Sequence, residues 1–472
     1  MRNLFNFLNV RHSSPACLCI HGHFYQPPRE NPFQKNSFLN LIPNEPGAGK
    51  YGNFNNKITA ECYRPNAEAG NFEQISFDLG PTLADYLEAH HPNVYQKILD
   101  SEKAHYARYS VSNALAQPYN HTILPLSFHY RDKWLQIKWG IADYKKRFGH
   151  DPNGMWLPET AVDLFTLWVM ACCDIKYTIL APWQAETPVD TTEPYIVHLP
   201  AYNGKPQKIT VFFYKANLSG HISFEDPITI NADQFASEEL PKHQNEEKRT
   251  AGMPQLTLIA TDGELYGHHK KHREKFLQRL FTYSAKEADI TVVSLERYLQ
   301  LHPPTKEVKI KEYTSWSCHH GVARWEQGCD CDKGGGFNSW KVEYRQAFRQ
   351  LYNKAYKLFE EHTRSALPQM YEARNDFLSF KNGWMSDDAF WAKWGRNQKR
   401  PTDLHLESKV LLFMDAEYYL QRSYTSCGTY WATMGIEAEN NIRFAQHAIS
   451  LINQATGVDL SHLLAGLRKK LA

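Results

Sequence analysis

The 472-residue chain has no long hydrophobic run. Its longest, Leu164 to Cys173, spans about half of the ~20 residues a membrane helix needs, and Asp174 and Lys176 follow it. Charge of one sign is also missing, with 53 Lys and Arg against 51 Asp and Glu and no sustained basic run. That balance sets aside nucleic acid and anionic membranes as principal partners. A disulfide framework is not expected, because the nine cysteines are odd in number and Cys172 and Cys173 are adjacent. The opening segment, Met1 to Ser14, lacks the continuous apolar core of a signal peptide. Together these point to a reducing cytoplasm. Internal repeats and low-complexity tracts are absent. What is abundant is aromatic side chains (12 Trp, 26 Tyr, 25 Phe) and His, of which there are 22. A hydrophobic content of 42% with 22% charge excludes global disorder. The length implies about two to three domains.

Up to about residue 330, short apolar runs alternate with helical patterns. Ala16 to Ile20, Gly154 to Leu157, Lys176 to Leu180, Gln255 to Ala260 and Asp289 to Val293 read as strands. Thr82 to His90, Val94 to Tyr106, Asp132 to Phe148, Ala161 to Ala171 and Lys271 to Tyr283 read as helices. This alternation predicts βαβ units and a mainly parallel sheet, as a barrel or open. Residues 31–72, rich in Asn, Gly and Pro, read as a long irregular loop. The pattern changes at Gly334-Gly335-Gly336. Beyond it, Trp340, Tyr344, Phe348, Leu351, Ala355 and Leu358 form one helical stripe, and Glu407 to Arg422, Glu437 to Ile452 and Asp459 to Lys470 are further helical patterns. The expected division is a β/α domain over 15–337 and a helical domain over 338–472, with the boundary near Phe337.

Polar residues of catalytic type follow the strands, where sites sit in parallel α/β folds. His21-Gly22-His23 ends the first strand, and two His at i and i+2 share one face. They could be structural, could pair on a metal, or could hydrogen-bond a polar ligand. Gly154-Met155-Trp156-Leu157-Pro158-Glu159 ends on a carboxylate before a helix, where an acid also suits the helix dipole. Leu258 to His269 delivers Asp262 and Glu264 at another strand end, although Asp262-Gly263 alone could be a turn. Two carboxylates facing each other across the mouth of a sheet acquire split pKa values, as glycosidic acid–base chemistry requires. Trp156 and Tyr266 beside them could stack on sugar rings.

These segments resemble glycoside hydrolase family 57, retaining enzymes active on α-glucans. Four of its motifs appear in order over about residues 16 to 330: His21 to Pro27, Pro118 to Leu126, Trp156 to Glu159, and Thr261 to Gly267. The likeness is greatest to a bacterial branch with an extra helical module, through Thr314 to Trp325, Cys329-Asp330-Cys331 and Tyr424-Thr425-Ser426-Cys427-Gly428. Related proteins usually continue beyond the end of this chain, so a fragment or a short form is implied. The Trp316 to Trp325 segment stands as the fifth motif. The resemblance implies an irregular, seven-stranded (β/α)7-type barrel followed by the α-helical domain. It implies Glu159 as nucleophile and Asp262 as general acid/base, with His21, His23, His121, Trp156, His268, Trp316 and His320 around an α-glucan or maltooligosaccharide. No cofactor is needed for that chemistry. Hydrolysis, 4-α-glucanotransfer and branching share these residues, so the sequence leaves the reaction type open.

The dense group Cys318, His319, His320, Cys329, Cys331 allows a structural Zn²⁺ site on Cys318, Cys329 and Cys331, or packed free thiols. Its loop follows a strand-like segment, Glu307 to Tyr313, and is expected on the same face as Glu159 and Asp262, with Trp316 or His320 near the sugar. Two alternatives remain: a metal-dependent carbohydrate deacetylase or mannosidase-like enzyme using His21 and His23, and a non-catalytic glycan-binding protein.

Overall fold

The computed structural model describes residues 16–34, 45–331 and 338–467. The expected boundary at Phe337, the glycine run before it, the Met1 to Ser14 segment and the end of the last expected helix lie outside these residues. Within them the chain is a mixed α/β structure with a parallel sheet, followed from Ser339 by helices alone. Its strands are β1 (Ala16–Phe24), β2 (Ser76–Leu79), β3 (Ala114–Leu115), β4 (Tyr177–Leu180), β5 (Tyr195–Leu199), β6 (Gln207–Phe213), β7 (Gln255–Asp262), β8 (Thr291–Val292) and β9 (Lys306–Glu307). One sheet runs β3-β2-β1-β7, with β8 also on β1, and every pairing in it is parallel. The second runs β4-β6-β5-β9, and only β5–β6 is antiparallel. Residues 154–156 connect the two sheets. Ala116 N–H donates to Gly154 O at 3.0 Å, Trp156 N–H to Ala116 O at 2.8 Å, and Met155 N–H to Tyr177 O at 3.1 Å.

β1 is covered on both faces, which is why it reads as an unbroken apolar run before its histidines. Its register fixes the site. His21 lies opposite Ser76, and His23 lies opposite both Asp78 of β2 and Asp262 of β7. The expected strand at 154–157 is present only as isolated bridges at Gly154 and Met155. The expected 31–72 loop contains helical turns at Phe54–Ile58 and Arg64–Glu68.

The helical part shares a core with helix Tyr130–Phe148. Leu135 and Trp139 of that helix are buried in one cluster with Tyr344, Phe348, Phe377 and Tyr418. Trp139 Nε1–H donates to Arg374 O at 2.9 Å, and Arg374 in turn bridges Asp132 and Glu417. Gly140 lets this helix lie against the segment leading to His121, since a Cβ there would stand 1.9 Å from Gln117 O. Trp139→Ala should therefore cost about 3–5 kcal/mol of stability, read from urea unfolding by fluorescence and far-UV circular dichroism together. A loss below about 1 kcal/mol would contradict a shared core.

Candidate active site

Three parallel strand ends assemble the site. Asp78 of β2 stands between the two histidines of β1: His21 Nε2–H donates to its Oδ1 at 3.1 Å and His23 Nδ1–H to its Oδ2 at 2.8 Å. Ser76, Ser426 and His121 can each give or accept a hydrogen, so burial and charge, not the contacts alone, set the protonation states. Burial pushes the His21 pKa down, so His21 is neutral and its Nδ1 accepts from Ser76 Oγ–H at 3.1 Å. His23 Nε2–H donates to His121 Nε2 at 3.1 Å, and His121 Nδ1–H donates to Ser426 Oγ at 2.6 Å. Burial, with the His23 charge, holds the His121 pKa well below the usual value, so His121 is neutral. His23 is the imidazolium. Burial alone would lower its pKa, but the Asp78 charge and hydrogen bond, with Asp262 and Glu264 beyond, raise it to about 9. The rings stack on one another: His121 on Tyr25 at 3.7 Å between centroids, and Trp156 on His21 at 4.9 Å and His23 at 5.2 Å.

A raised histidine pKa is also a statement about stability. His23 contributes stability that is fully present below pH 6.5, its ordinary value, and is lost as pH rises through about 9. Unfolding free energy should fall by about 3 kcal/mol from pH 6.5 to 9 on this account. His23→Gln should be less stable at pH 6.5 and flatten that slope. An unchanged slope in the variant would contradict the Asp78–His23 pairing.

Glu159 sits on a sharp turn. Its φ is 57° and that of Thr160 is 48°, both in the left-handed region that L residues other than glycine, Asn and Asp rarely occupy. The surroundings hold this strained turn in place. Gln184 Nε2–H donates to Thr160 O at 2.8 Å and Thr160 Oγ1–H to Gln184 Oε1 at 2.9 Å. Val162 N–H donates to Thr314 O at 2.9 Å and Trp316 N–H to Glu159 O at 3.1 Å. Such over-determined strain is commonest at functional sites. The Glu159 carboxylate accepts at Oε2 from Trp316 Nε1–H at 3.0 Å and from Ser317 Oγ–H at 2.8 Å. Burial raises its pKa, these two donors oppose the rise, and the Asp262 charge adds to it.

Asp262 ends β7 exposed, next to His23. It is followed by Gly263, where a Cβ would stand 2.4 Å from the Phe24 ring. That ring leaves room only for glycine at 263, and the next residue, Glu264, is buried. Glu264 accepts from Tyr63 O–H at 2.6 Å. Its pKa is pushed up to about 7, mainly by burial and then by the Asp262 charge.

The other expected site residues are distributed unevenly. Trp156 and Trp316 meet edge to face at 5.0 Å beside Glu159. His21 spends both ring nitrogens inside the protein and is fully buried. His268 pairs with Glu61 at 2.6 Å. His320 lies with the cysteines, its Nδ1 3.3 Å from Cys331 Sγ. The histidines proposed as a metal pair both lie at hydrogen-bond distance from Asp78, and His23 also from His121. Among the described residues, the grouping with metal-ligand spacing is Cys318, His320, Cys329 and Cys331.

Sequence reasoning missed Asp78, a lone acid inside the buried run Ser76–Leu79. Ser317, Ser426 and Cys427 stood in the segments that carry the likeness, but no role at the site was read for them. The helical part reaches the site through the last two: Ser426 N–H donates to His121 O at 2.9 Å, and the Cys427 thiol, pushed up to about 12 by burial, feels the Glu159 charge. A buried Arg422–Glu30 ion pair ties this segment to the loop after β1.

The sequence profile of glycosyl hydrolase family 57 matches residues 37–311, more than half of the chain. A second profile, a domain of unknown function designated DUF3536, matches residues 338–470. Comparison with curated proteins returns no match. Similar solved structures include an exo-type maltose-forming amylase from Pyrococcus sp. ST04, at 15% identity and a TM-score of 0.70, covering 97% of this chain and 81% of that one. A branching enzyme from Pyrococcus horikoshii has 14% identity and a TM-score of 0.62, covering 97% of this chain and 94% of that one. A 4-α-glucanotransferase from Thermococcus litoralis has 15% identity and a TM-score of 0.54, covering 93% of this chain and 59% of that one. At these identities the likeness establishes a common fold.

Proposed function

The chain belongs to glycosyl hydrolase family 57, and from that membership we propose that it cleaves or transfers α-glucosidic bonds of glucans through a covalent glycosyl-enzyme. Glu159 attacks the anomeric carbon while Asp262 gives a proton to the departing glycosidic oxygen. Asp262 then takes the proton of an incoming water or sugar hydroxyl, which attacks the anomeric carbon and releases Glu159. The observation that carries this reading is the Glu159 carboxylate, clamped by Trp316 and Ser317 on a strained turn. These two donors favour the ionised form that a nucleophile needs against the burial that opposes it. His23 as an imidazolium and neutral His121 supply a cationic and a polar contact for sugar hydroxyls, and Trp156 and Trp316 supply apolar ring faces. His21 acts behind them, fixing Asp78. His268 would lie farther along the bound chain, whereas His320 is held in the cysteine loop.

The same reading takes the two sheets as one closed seven-stranded barrel of β1, β2, β3, residues 154–157, β4, β6 and β7. The bridges at 154–156 support this, as does Lys215 N–H donating to Leu258 O at 2.8 Å between the end of β6 and β7. It also takes 15–337 and 338–472 as two domains, the second contributing Ser426 and Cys427 to the cleft wall. Nine unpaired cysteines fit a cytoplasmic setting, and no described helix is long and apolar enough to cross a membrane. Incubation with amylose and with maltooligosaccharides, followed by chain-length and linkage analysis, tests the function. Shorter products indicate hydrolysis, redistributed lengths indicate transfer, and new α-1,6 linkages indicate branching. No change in any of these glucans, with folded enzyme, would contradict the substrate class.

A further inference from the structure

We infer that Cys318, His320, Cys329 and Cys331 bind one structural Zn²⁺ that fixes the loop holding Glu159. The four donor atoms all lie within 4.8 Å of one another. Cys318 Sγ is 3.5 Å from Cys329 Sγ and 3.9 Å from Cys331 Sγ, and Cys331 Sγ is 3.3 Å from His320 Nδ1. A tetrahedral zinc with Zn–S near ~2.3 Å and Zn–N near ~2.05 Å has S···S edges of about 3.8 Å and S···N edges of about 3.6 Å. These three edges are within about 0.3 Å of those dimensions and the others lie within 4.8 Å, so a metal needs only a small contraction. Its composition, three thiols and one imidazole, is a standard closed structural set with no position left for substrate. With Nδ1 on the metal, His320 Nε2–H faces the Asp330 carboxylate at 3.4 Å, the outer partner that metal-bound imidazoles commonly have.

The position gives the metal its function. Cys318 directly follows Trp316 and Ser317, the two donors to Glu159. The loop's own apolar support is small: Cys318, Val322, Trp325 and Cys329 pack on Ile123, Leu126 and Ala161. Four ligands spread over Cys318–Cys331 convert this short loop into a closed cross-linked unit, and they do so independently of which reaction Glu159 performs.

The test uses the untagged full-length chain, dialysed against metal-free buffer. About one zinc per chain is expected by mass spectrometry of the metal. Cobalt exchange should give the thiolate charge-transfer and intense d–d bands of a tetrahedral sulfur-rich site. Titration of wild-type protein with a mercurial should release zinc in step with three thiols. Cys329→Ser with Cys331→Ser should lose the metal, whereas Cys172→Ser, at the end of helix Leu164–Cys172 and outside the cluster, should keep it. Removing zinc should expose the buried Arg324, so that trypsin cleaves after it on the order of tenfold faster. Substoichiometric zinc that does not rise on adding Zn²⁺, a Cys318–Cys329 disulfide in the freshly purified chain, or full zinc retention in the double variant would overturn the site. Unchanged cleavage after Arg324 would overturn its role in fixing the loop.

Discussion

Glu159→Gln should lower turnover on α-glucans by about 10⁴-fold, or roughly 5.5 kcal/mol of barrier, while leaving the folded protein nearly as stable as before. The amide keeps an oxygen to accept from Trp316 and Ser317, so the strained turn and its two donors stay paired. What is lost is the negative charge that attacks the anomeric carbon. Glu159→Ala should lose as much activity and also be less stable, because it strands two polar donors. It leaves room for a small external anion. Azide should then restore turnover on an activated α-glucosyl donor and yield the β-azide, since attack now comes once and from the opposite face. Steady-state kinetics, thermal unfolding and NMR of the azide product read all three consequences. A Gln variant within about tenfold of wild type would remove Glu159 from the chemistry.

Asp262→Asn should divide substrates by leaving group. With sugar leaving groups, which need a proton, kcat/KM should fall by about 10²–10⁴. With a nitrophenyl leaving group, which needs none, kcat/KM should change little and kcat should fall, because the second step still lacks its base. Azide added to this variant should give the α-product, with the first step still performed by Glu159. Equal losses in kcat/KM for both substrates would make Asp262 a positioning residue and turn attention to Glu264, whose pKa near 7 suits a proton carrier but whose carboxyl is held by Tyr63. Exposure of Asp262 at the end of β7, beside His23, is what favours it over its buried neighbour.

The sequence carried the elements whose signal is local. The helix expected over Asp132 to Phe148 is present at Tyr130–Phe148, and the stripe from Trp340 lies in Ser339–Thr363, because apolar residues at helical spacing bury one face whatever their partner. β1 was legible as an apolar run ending in His21-Gly22-His23, but what those histidines face was not, since only the pairing with β2 and β7 sets Ser76, Asp78 and Asp262 opposite them. β5 and β6 went unread because exposed His198 and Lys208 mask a two-stranded antiparallel unit. The acids were visible at strand ends by position alone. Their partners were not: Asp78 is one acid in four buried residues, and Ser317 and Ser426 reach Glu159 and His121 from 158 and 305 residues away. Nothing in local pattern marks such a contact.

Trapping the covalent intermediate tests the central claim most directly. A fluorinated α-glucosyl fluoride that forms the glycosyl ester quickly and loses it slowly should add one glucosyl unit per chain, and peptide mass spectrometry should place it on Glu159. Glu159→Gln should take up none. An adduct on another residue, or release of product with inverted anomeric configuration from the wild-type enzyme, would contradict a covalent mechanism through Glu159.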